Sequence, residues 1–131
     1  MDFTQVKNIA VVGISDNPER DSHRVARYLQ EEGYRVIPVN PNLQEVLGET
    51  CYPDLLSIPE GIPVDVVDIF RRSDQVEPIV EQAIKRGAKV VWMQLRVINE
   101  EAAARAREAG LEVIMNRCIM VEHGKWAGGR H

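Results

Sequence analysis

The feature that most limits the possible folds of this 131-residue chain is a unit that occurs three times. A segment with helical periodicity ends in glycine, and a short run of β-branched and apolar residues follows at once; the glycines are Gly33, Gly87 and Gly110. Glycine adopts the left-handed backbone conformation that ends many helices, so each glycine predicts a helix end and a strand start. The predicted strands cover residues 34–39, 88–93 and 111–115.

Two more strands are predicted over residues 8–14 and 64–70, which are almost unbroken apolar runs. Such runs are typical of parallel strands that are covered on both faces. With right-handed crossovers, the alternation of strand and helix predicts an α/β protein: a three-layer, Rossmann-type, doubly wound fold with a mainly parallel five-stranded sheet. Residues 41–63 interrupt the pattern and are interpreted as an irregular crossover, with helical turns over 44–47 and 54–57 and an extended Cys51-Tyr52.

Capping residues predict where the helices begin. Asp21 or Ser22 is expected to cap the first helix, Ser73 the second and Asn99 the third, because these side chains accept hydrogen bonds from free amides at helix starts. Trp92 and Met93 lie within a predicted strand and are expected in the core.

The length fits one domain, which we assign to residues 1–123, and residues 124–131 lack periodicity and are expected to form a loose tail. A net charge of −4 argues against a nucleic-acid partner. No apolar run approaches the length that crosses a bilayer and the N-terminus does not resemble a signal peptide, so we expect no membrane partner and a cytoplasmic location.

The cysteines and histidines show no pattern of a disulfide framework or a metal site. Cys51 and Cys118 are far apart in sequence, which fits a reducing compartment. His23, His123 and His131 have no metal-ligand spacing, so no metal is expected.

Polar and cationic residues gather directly after the predicted strands. In a doubly wound sheet a ligand binds beyond the carboxyl ends of the strands, near the point where the strand order reverses. An anionic ligand would need such residues at this edge. The five segments are 13–18, Asn40-Pro41, Phe70-Arg71-Arg72, Gln94-Leu95-Arg96 and Asn116-Arg117-Cys118.

The loop after the first strand is the most informative of the five. Gly13 leaves room for a phosphate to approach the backbone, and Ser15, Asn17, Ser22 and the free amides of the next helix are candidate donors to it. The alternative is that the loop is only a turn between a strand and a helix. Arg24, Arg71 and Arg72 are further candidate phosphate contacts, with plain surface exposure as the alternative for each.

The loop does not carry the patterns of two common nucleotide sites. It lacks the G-x-G-x-x-G spacing, and Asn40 stands where an NAD enzyme usually has an acid for its ribose hydroxyls, so NAD is disfavoured. No G-x-x-x-x-G-K-[ST] sequence occurs, so ATP hydrolysis of the P-loop kind is not supported. Cys118 is interpreted as a small buried hydrophobe, with a reactive thiol as the alternative, and Glu122 and His123 as a surface pair.

Together these motifs resemble the stand-alone CoA-binding domain proteins, the YccU-like group, over nearly the whole chain. The matching stretches are 10–18, 22–29, 36–41, 64–72, 91–95 and 116–123. That family is similar to the N-terminal CoA-binding domain of the succinyl-CoA synthetase α subunit, and the resemblance implies a Rossmann-type fold with coenzyme A at the same edge. The synthetase phosphohistidine belongs to a separate domain, so ligase activity is not implied.

The resemblance also implies roles for particular residues. Matching positions place Gly13, Ile14, Ser15 and Asn17 on the pyrophosphate, Asn40 and Pro41 beside the nucleotide, and Phe70, Arg71 and Gln94 along the rest of the groove. Two positions depart from the family, because Arg96 stands where relatives are expected to have glycine and Met120 where they are expected to have lysine.

Three functions are therefore open. The first is a non-catalytic module that binds coenzyme A or an acyl-CoA, with a protein partner among acyl-CoA enzymes. The second is an enzyme that uses an NAD-like cofactor or acts on a CoA thioester through Cys118. The third is an assembly subunit whose nucleotide groove is vestigial.

Overall fold

The computed structural model of the protein describes residues 1–129 and contains one five-stranded parallel sheet and one small antiparallel hairpin. The strands are β1 (Asn8–Val12), β2 (Arg35–Val39), β3 (Glu45–Val46), β4 (Glu49–Thr50), β5 (Val66–Ile69), β6 (Val90–Met93) and β7 (Glu112–Ile114). The order in the large sheet is β2-β1-β5-β6-β7, and all its neighbours are parallel. The predicted mainly parallel five-stranded sheet is confirmed.

The strand order reverses between β1 and β5. From β1 the chain moves outward to β2, and it then crosses back to β5 on the other side of β1. Val12, the last residue of β1, is in register with Val39 of β2 and Ile69 of β5. Three carboxyl ends are therefore level at the point where ligands bind in folds of this kind.

Helices cover both faces of the sheet, which confirms the three-layer Rossmann-type fold. They are α1 (Asp21–Glu31), α2 (Val76–Arg86), α3 (Glu100–Glu108) and α4 (Ile119–Gly128). Side chains of α1 and α4 pack on one face and those of α2 and α3 on the other. Alternate residues of each strand enter the two cores, so that Trp92 packs on one face and Met93 on the other, both buried as predicted.

The prediction from the three glycines is confirmed. Gly33, Gly87 and Gly110 have φ angles of +96°, +78° and +90°, which few other residues adopt without strain. The strands β2, β6 and β7 begin two or three residues after them.

Only one of the three predicted helix caps is correct. Asn99 Oδ1 accepts a hydrogen bond from Ala102 N at 2.9 Å at the start of α3, as expected. A short 3-10 turn over Ser73–Gln75 precedes α2, and Ser73 Oγ instead accepts from Ile98 N at 2.9 Å. No side chain caps α1.

The crossover between β2 and β5 is partly as predicted. The segment that was expected to form a helical turn over 44–47 instead contains β3, and the hairpin with β4 turns at Leu47 and Gly48, both at positive φ. The second turn is confirmed as a 3-10 turn over Leu55–Ser57. Tyr52 pairs with Val39 in a parallel bridge, so the extended conformation is also confirmed.

The loose tail that was expected from residue 124 onward is not found over residues 124–128. Residues 124–128 continue helix α4, which is anchored by buried Ile119 and His123 and by a contact between the rings of Trp126 and Phe3 at 5.3 Å. The helix was not predicted from the sequence because Gly124 and Gly128 have a poor helix propensity. Residues 130 and 131, including His131, lie outside the described residues.

Two kinds of feature are absent from residues 1–129. No helix combines the length and the apolar composition needed to cross a membrane. No group of three or more His, Cys, Asp or Glu side chains is arranged to hold a metal ion.

Candidate functional site

The five segments predicted to bind a ligand lie at one edge of the sheet, since each follows a parallel strand. β1, β2, β5, β6 and β7 end immediately before or within two residues of Gly13, Asn40, Phe70, Gln94 and Asn116. The edge is thus lined by residues from five separate parts of the sequence. The structure brings them together because the strands are parallel.

Gly13 is held at the centre of this edge. Its amide donates to Val39 O at 2.9 Å, and the amide of Phe70 donates to Val12 O at 2.8 Å, so the loop after β1 is tied to both neighbouring strands. Gly13 has a φ of +87°, and a Cβ atom there would lie 2.4 Å from the carbonyl oxygen of Phe70. The immediate reason for glycine is therefore the neighbouring strand.

The loop after Gly13 uses several of its own polar groups to fix its shape. Ser22 Oγ accepts from Ser15 N at 3.0 Å, which is why Ser22 does not cap α1. Ser15 Oγ accepts from Asn17 N, and Asn17 Oδ1 accepts from Glu19 N, each at 3.0 Å. The oxygens of Ser15, Asn17 and Ser22 therefore act as acceptors within the loop, whereas the sequence suggested them as donors to a ligand.

Donors for an anion remain at this loop. The amides of Asp21, Ser22 and His23 have no partner among the described residues, as is usual in the first turn of a helix. The hydroxyls of Ser15 and Ser22 each accept one hydrogen bond and keep a proton to donate. The positive end of α1 adds a favourable field for negative charge.

Asn40 connects the ends of β1 and β2. Its Nδ2 donates to Ile14 O at 2.8 Å, its Oδ1 accepts from Asn42 N at 2.8 Å, and its carbonyl accepts a weak bond from Cys51 Sγ at 3.6 Å. The side chain shapes the groove by joining two loops. Its neighbour Pro41 lines the groove directly.

Three adjoining cavities lie along the edge, and we name each by its lining. The loop cavity, about 570 Å³, lies against residues 13–16 and 19–22 and against Asn40, Asn42, Leu43 and Phe70. The apolar cavity, about 180 Å³, is lined by Val12, Gly13, Val39, Pro41, Pro53, Asp54, Leu55, Arg71, Gln75, Ile79 and Gln82. The cationic cavity, about 520 Å³, is lined by Asp21, Arg24, Val25, residues 70–72 and 94–97, Cys118, Met120 and Val121.

The cavities share residues at the switch point. Gly13 lines the loop and apolar cavities, Phe70 the loop and cationic cavities, and Arg71 the apolar and cationic cavities. A single extended ligand can therefore reach all three by passing over these residues.

Charge is distributed unevenly among the cavities. The loop cavity has three carboxylates, from Asp16, Glu19 and Asp21, and one guanidinium, from Arg20. The cationic cavity has four arginines against Asp21 alone: Arg24, Arg71, Arg72 and Arg96. Anionic groups are therefore favoured toward the cationic cavity rather than at the acidic rim of the loop.

The four arginines differ in how strongly they are held. Arg24 pairs with Asp21, and Arg72 lies 3.5 Å from a carboxylate oxygen of Asp74. Arg71 and Arg96 form no ion pair with a carboxylate of the described residues. These two carry the cationic character of the cavity that is not already compensated by a neighbour.

Gln94 and Cys118 lie together in the cationic cavity. Gln94 is only 4% exposed, and its Oε1 accepts from Ile119 N at 3.1 Å at the start of α4. Cys118 is a free thiol that is only partly buried: it packs against the hydrophobic core, as the interpretation as a small buried hydrophobe expects, and it also lines the cavity. Met120, noted as a departure from the family, lines the same cavity.

Glu122 and His123 do not form a surface pair. His123 is only 4% exposed; its Nδ1 is 2.7 Å from the hydroxyl of Tyr28, and its ring packs edge-on against Phe3 and Tyr34. Burial lowers the pKa of His123 below its usual 6.5, although the charge of Glu32 acts in the opposite direction. The histidine belongs to an aromatic core cluster, away from the groove.

Several lining residues escaped the sequence analysis. Asp16 was within the predicted loop and Glu19 and Arg20 directly follow it, but nothing in their order showed that they face the groove. Pro53 and Leu55 line the apolar cavity from the crossover, where the predicted helical turn did not indicate which side chains face the groove. Gln75 and Gln82 reach the same cavity from the start and middle of the next helical segment.

Comparison with known protein families shows the family of this chain. The profile described as a CoA binding domain matches residues 7–124. The chain belongs to this family of CoA-binding domains.

Relatives of the CoA-binding domain include both small proteins and parts of large enzymes. The chain is 45% identical to the uncharacterized protein YneT of Bacillus subtilis (strain 168) over 117 residues, which are 89% of this chain and 85% of YneT. It is 31% identical to acetate–CoA ligase [ADP-forming] I of Archaeoglobus fulgidus over 105 residues, which are 78% of this chain but 15% of the ligase. The CoA-binding domain therefore corresponds to one segment of that enzyme.

Solved structures agree with the fold of the CoA-binding domain. A hypothetical protein from Pyrococcus horikoshii OT3 superposes with a TM-score of 0.92 at 51% identity, covering 96% of this chain and 87% of that one. This neighbour therefore shares the fold of the CoA-binding domain.

Proposed function

We propose that the chain binds coenzyme A, free or acylated, across the three cavities and acts as a non-catalytic binding module. The observation that carries the proposal is that a loop with free helix amides, an apolar cavity and a cationic cavity meet at Gly13, Phe70 and Arg71. Coenzyme A has three matching parts: a diphosphate, a nucleoside, and a pantetheine arm that ends in a thiol. Membership of the CoA-binding domain family supports the same ligand.

We expect the diphosphate between the first turn of α1 and Arg71. The amides of Asp21, Ser22 and His23 and the hydroxyl protons of Ser15 and Ser22 are available there. The carboxylates of the loop cavity would repel phosphate, so the charge balance favours a position on the side toward Arg24 and Arg71.

We expect the nucleoside beside Pro41 and the pantetheine arm beside Phe70 and Gln94. The walls of the apolar cavity are mostly hydrophobic, with a polar amide from Gln75, which suits a flat base with polar edges. The cationic cavity continues past Phe70 to Gln94 and Cys118 and provides a path for an extended arm.

The same geometry gives weaker support to an NAD-like cofactor. Asn40 follows β2 at the position where an acid would bind ribose hydroxyls, and its amide is already bonded to Ile14 O. Binding of coenzyme A does not require an acidic side chain at the position of Asn40.

Titration calorimetry of the full chain with coenzyme A tests the proposal. We expect saturable binding, a higher melting temperature with ligand, and an affinity about tenfold lower or worse in the Arg71→Ala variant, because a charge-assisted contact to phosphate is lost. The matched control is Arg107→Ala, since Arg107 is exposed in the last turn of α3.

Three results would contradict the proposal. Absence of both binding heat and thermal protection by coenzyme A would reject it. Stronger stabilisation by NAD than by coenzyme A would favour the dinucleotide enzyme instead. Native mass spectrometry that finds a hetero-complex without coenzyme A would favour an assembly subunit with a vestigial groove.

A further inference from the structure

The cationic cavity contains a thiol whose position is fixed from both sides. Cys118 immediately precedes α4. The residues on either side of it form hydrogen bonds with two side chains, one within β6 and one directly after it. Arg117 O accepts from Trp92 Nε1 at 2.8 Å, and Ile119 N donates to Gln94 Oε1 at 3.1 Å. The backbone of Cys118 is therefore held at the wall of the cavity and not on a free loop.

Gln94 provides an independent indication of a ligand at this place. Its side chain is almost fully buried, and Oε1 is occupied by Ile119 N. No partner for Nε2 is found among residues 1–129, although Gln94 lines the cavity. Nε2 is not among the atoms that are sealed from solvent, so it reaches the cavity and can donate to a carbonyl oxygen that arrives with a ligand. The pantetheine arm of coenzyme A contains two amide carbonyls and ends in a thiol.

The electrostatics around Cys118 suit an attacking sulfur. The thiolate is the nucleophile in thiol–disulfide exchange, and the positive end of a helix such as α4 stabilises negative charge. Arg71 and Arg96, which have no carboxylate partner in the described part of the chain, line the same cavity. Cys118 thus shares its cavity with two cations that no carboxylate compensates.

We propose that Cys118 forms a mixed disulfide with coenzyme A, an inference that rests on the proposed function. The co-reactant is the symmetrical disulfide of coenzyme A. The Cys118 thiolate attacks one of its sulfurs, the new bond joins Cys118 Sγ to that sulfur, and the S–S bond of the reagent breaks. The second coenzyme A leaves as a thiolate and takes up the proton that Cys118 released. Cys118 is oxidised and the departing coenzyme A is reduced, and a free thiol reverses the step.

The second cysteine of the chain is a matched control. Cys51 is 7% exposed, and burial raises the pKa of its thiol. It lies outside the cationic cavity, and its Sγ points toward the carbonyl of Asn40. We expect no adduct at Cys51 in the folded protein.

The test is intact-mass spectrometry of the full chain after incubation with coenzyme A disulfide under non-reducing conditions. We expect a mass increase of one coenzyme A less two hydrogens, reversal by a reducing agent, and peptide mapping of the adduct to Cys118. The adduct should be absent in Cys118→Ser and retained in Cys51→Ser. The wild-type rate should exceed that with oxidised glutathione about tenfold or more, because the rest of the ligand is recognised.

A second variant separates recognition from simple thiol reactivity. Gln94→Glu keeps an acceptor for Ile119 N and removes the donor, so it should slow the reaction with coenzyme A disulfide more than the reaction with oxidised glutathione. An equal rate with both disulfides in the wild-type protein, or an adduct on Cys51 instead, overturns the inference.

Calorimetry with reduced coenzyme A distinguishes the two levels of failure. If Cys118→Ser binds reduced coenzyme A and the wild-type protein forms no adduct, the inference on Cys118 is wrong and the proposed function stands. If neither binding nor adduct is found, both are wrong.

Discussion

A Cβ atom on Gly13 would lie 2.4 Å from the carbonyl oxygen of Phe70 and 2.9 Å from Cδ of Arg71. Both obstacles belong to the two residues that follow β5, and the first is a backbone atom that cannot rotate away. We expect Gly13→Ala to lower the free energy of unfolding by about 2 kcal/mol or more, because it combines this clash with a φ of +87°. Urea denaturation measures the change.

Gly33→Ala separates the clash from the backbone strain. Gly33 has a similar φ of +96°, but a Cβ atom there would meet nothing within 4 Å. We expect this variant to lose only about 1 kcal/mol, and to bind coenzyme A as the wild type does. Equal losses in the two variants would show that the contact with Phe70 does not determine the residue at position 13.

Arg96 combines a strained backbone with a charge in the groove. Its φ of +71° lies in the left-handed region. Its backbone is held in that conformation because its amide donates a hydrogen bond to Asn116 Oδ1 at 2.7 Å. We expect Arg96→Gly to raise the free energy of unfolding by about 1 kcal/mol. The same variant should weaken coenzyme A binding, since an uncompensated cation leaves the cationic cavity.

Arg96→Ala is the control, because it removes the charge and keeps the strain. We expect it to weaken binding to the same degree as glycine without the gain in stability. If alanine and glycine stabilise the protein equally, the backbone at position 96 is not the source of the effect. Calorimetry and thermal melting on the same samples give both readings.

Much of the fold was predictable because its determinants are local. The turns after the helices need glycine because Gly33, Gly87 and Gly110 have positive φ angles, and buried parallel strands need continuous apolar runs. Both features can be recognised in the sequence. The location of the candidate site followed from the same marks, since parallel strands bring their carboxyl ends to one edge.

The errors concern side chains whose partners are distant or unmarked. His123 is buried by Phe3, which is 120 positions earlier in the chain, and no local pattern announces that contact. Ser22 has the right chemistry for a helix cap but bonds to Ser15 N instead. The three carboxylates of the loop cavity, from Asp16, Glu19 and Asp21, could not be assigned to it from the sequence, because the direction of a loop side chain depends on the folded backbone.

Asp68 lies in the middle of the sheet with neither carboxylate oxygen bonded. It is fully buried in β5, in register with Val11 and Trp92, and burial raises the pKa of its carboxyl well above 3.8. The folded state therefore holds the proton more tightly than the unfolded state. The contribution of Asp68 to the free energy of unfolding is therefore largest below about pH 4, where both states are protonated, and it is lost as pH rises through the folded pKa.

We expect Asp68→Asn to remove this decrease and to raise the free energy of unfolding at pH 8 by about 1–3 kcal/mol. Asp65→Asn is the matched control with the opposite sign. Asp65 Oδ2 accepts from Lys7 N and Asn8 N at 2.9 Å each, and the carboxylate lies near Lys89, so its replacement should cost about 1 kcal/mol. Urea denaturation between pH 4 and 8 tests both, and destabilisation by Asp68→Asn at pH 8 would contradict this account.

His123 should make the protein sensitive to acid through the contact between α4 and α1. Burial lowers its pKa, so the unfolded state takes up a proton first as pH falls below 6.5. The stability present above pH 6.5 is then lost as pH falls toward the folded pKa. We expect His123→Phe, which keeps a ring against Phe3 and Trp126, to flatten the dependence of melting temperature on pH between 7 and 5.

Glu32 gives this last prediction a control of defined sign. Its negative charge raises the pKa of His123 against the larger effect of burial, so Glu32→Gln should lower that pKa further and steepen the loss of stability in acid. Tyr28→Phe removes the hydrogen bond to Nδ1 and should cost about 1 kcal/mol at pH 7.5, where the histidine is neutral. A Glu32→Gln variant that is less sensitive to acid than the wild type would show that another group controls the titration.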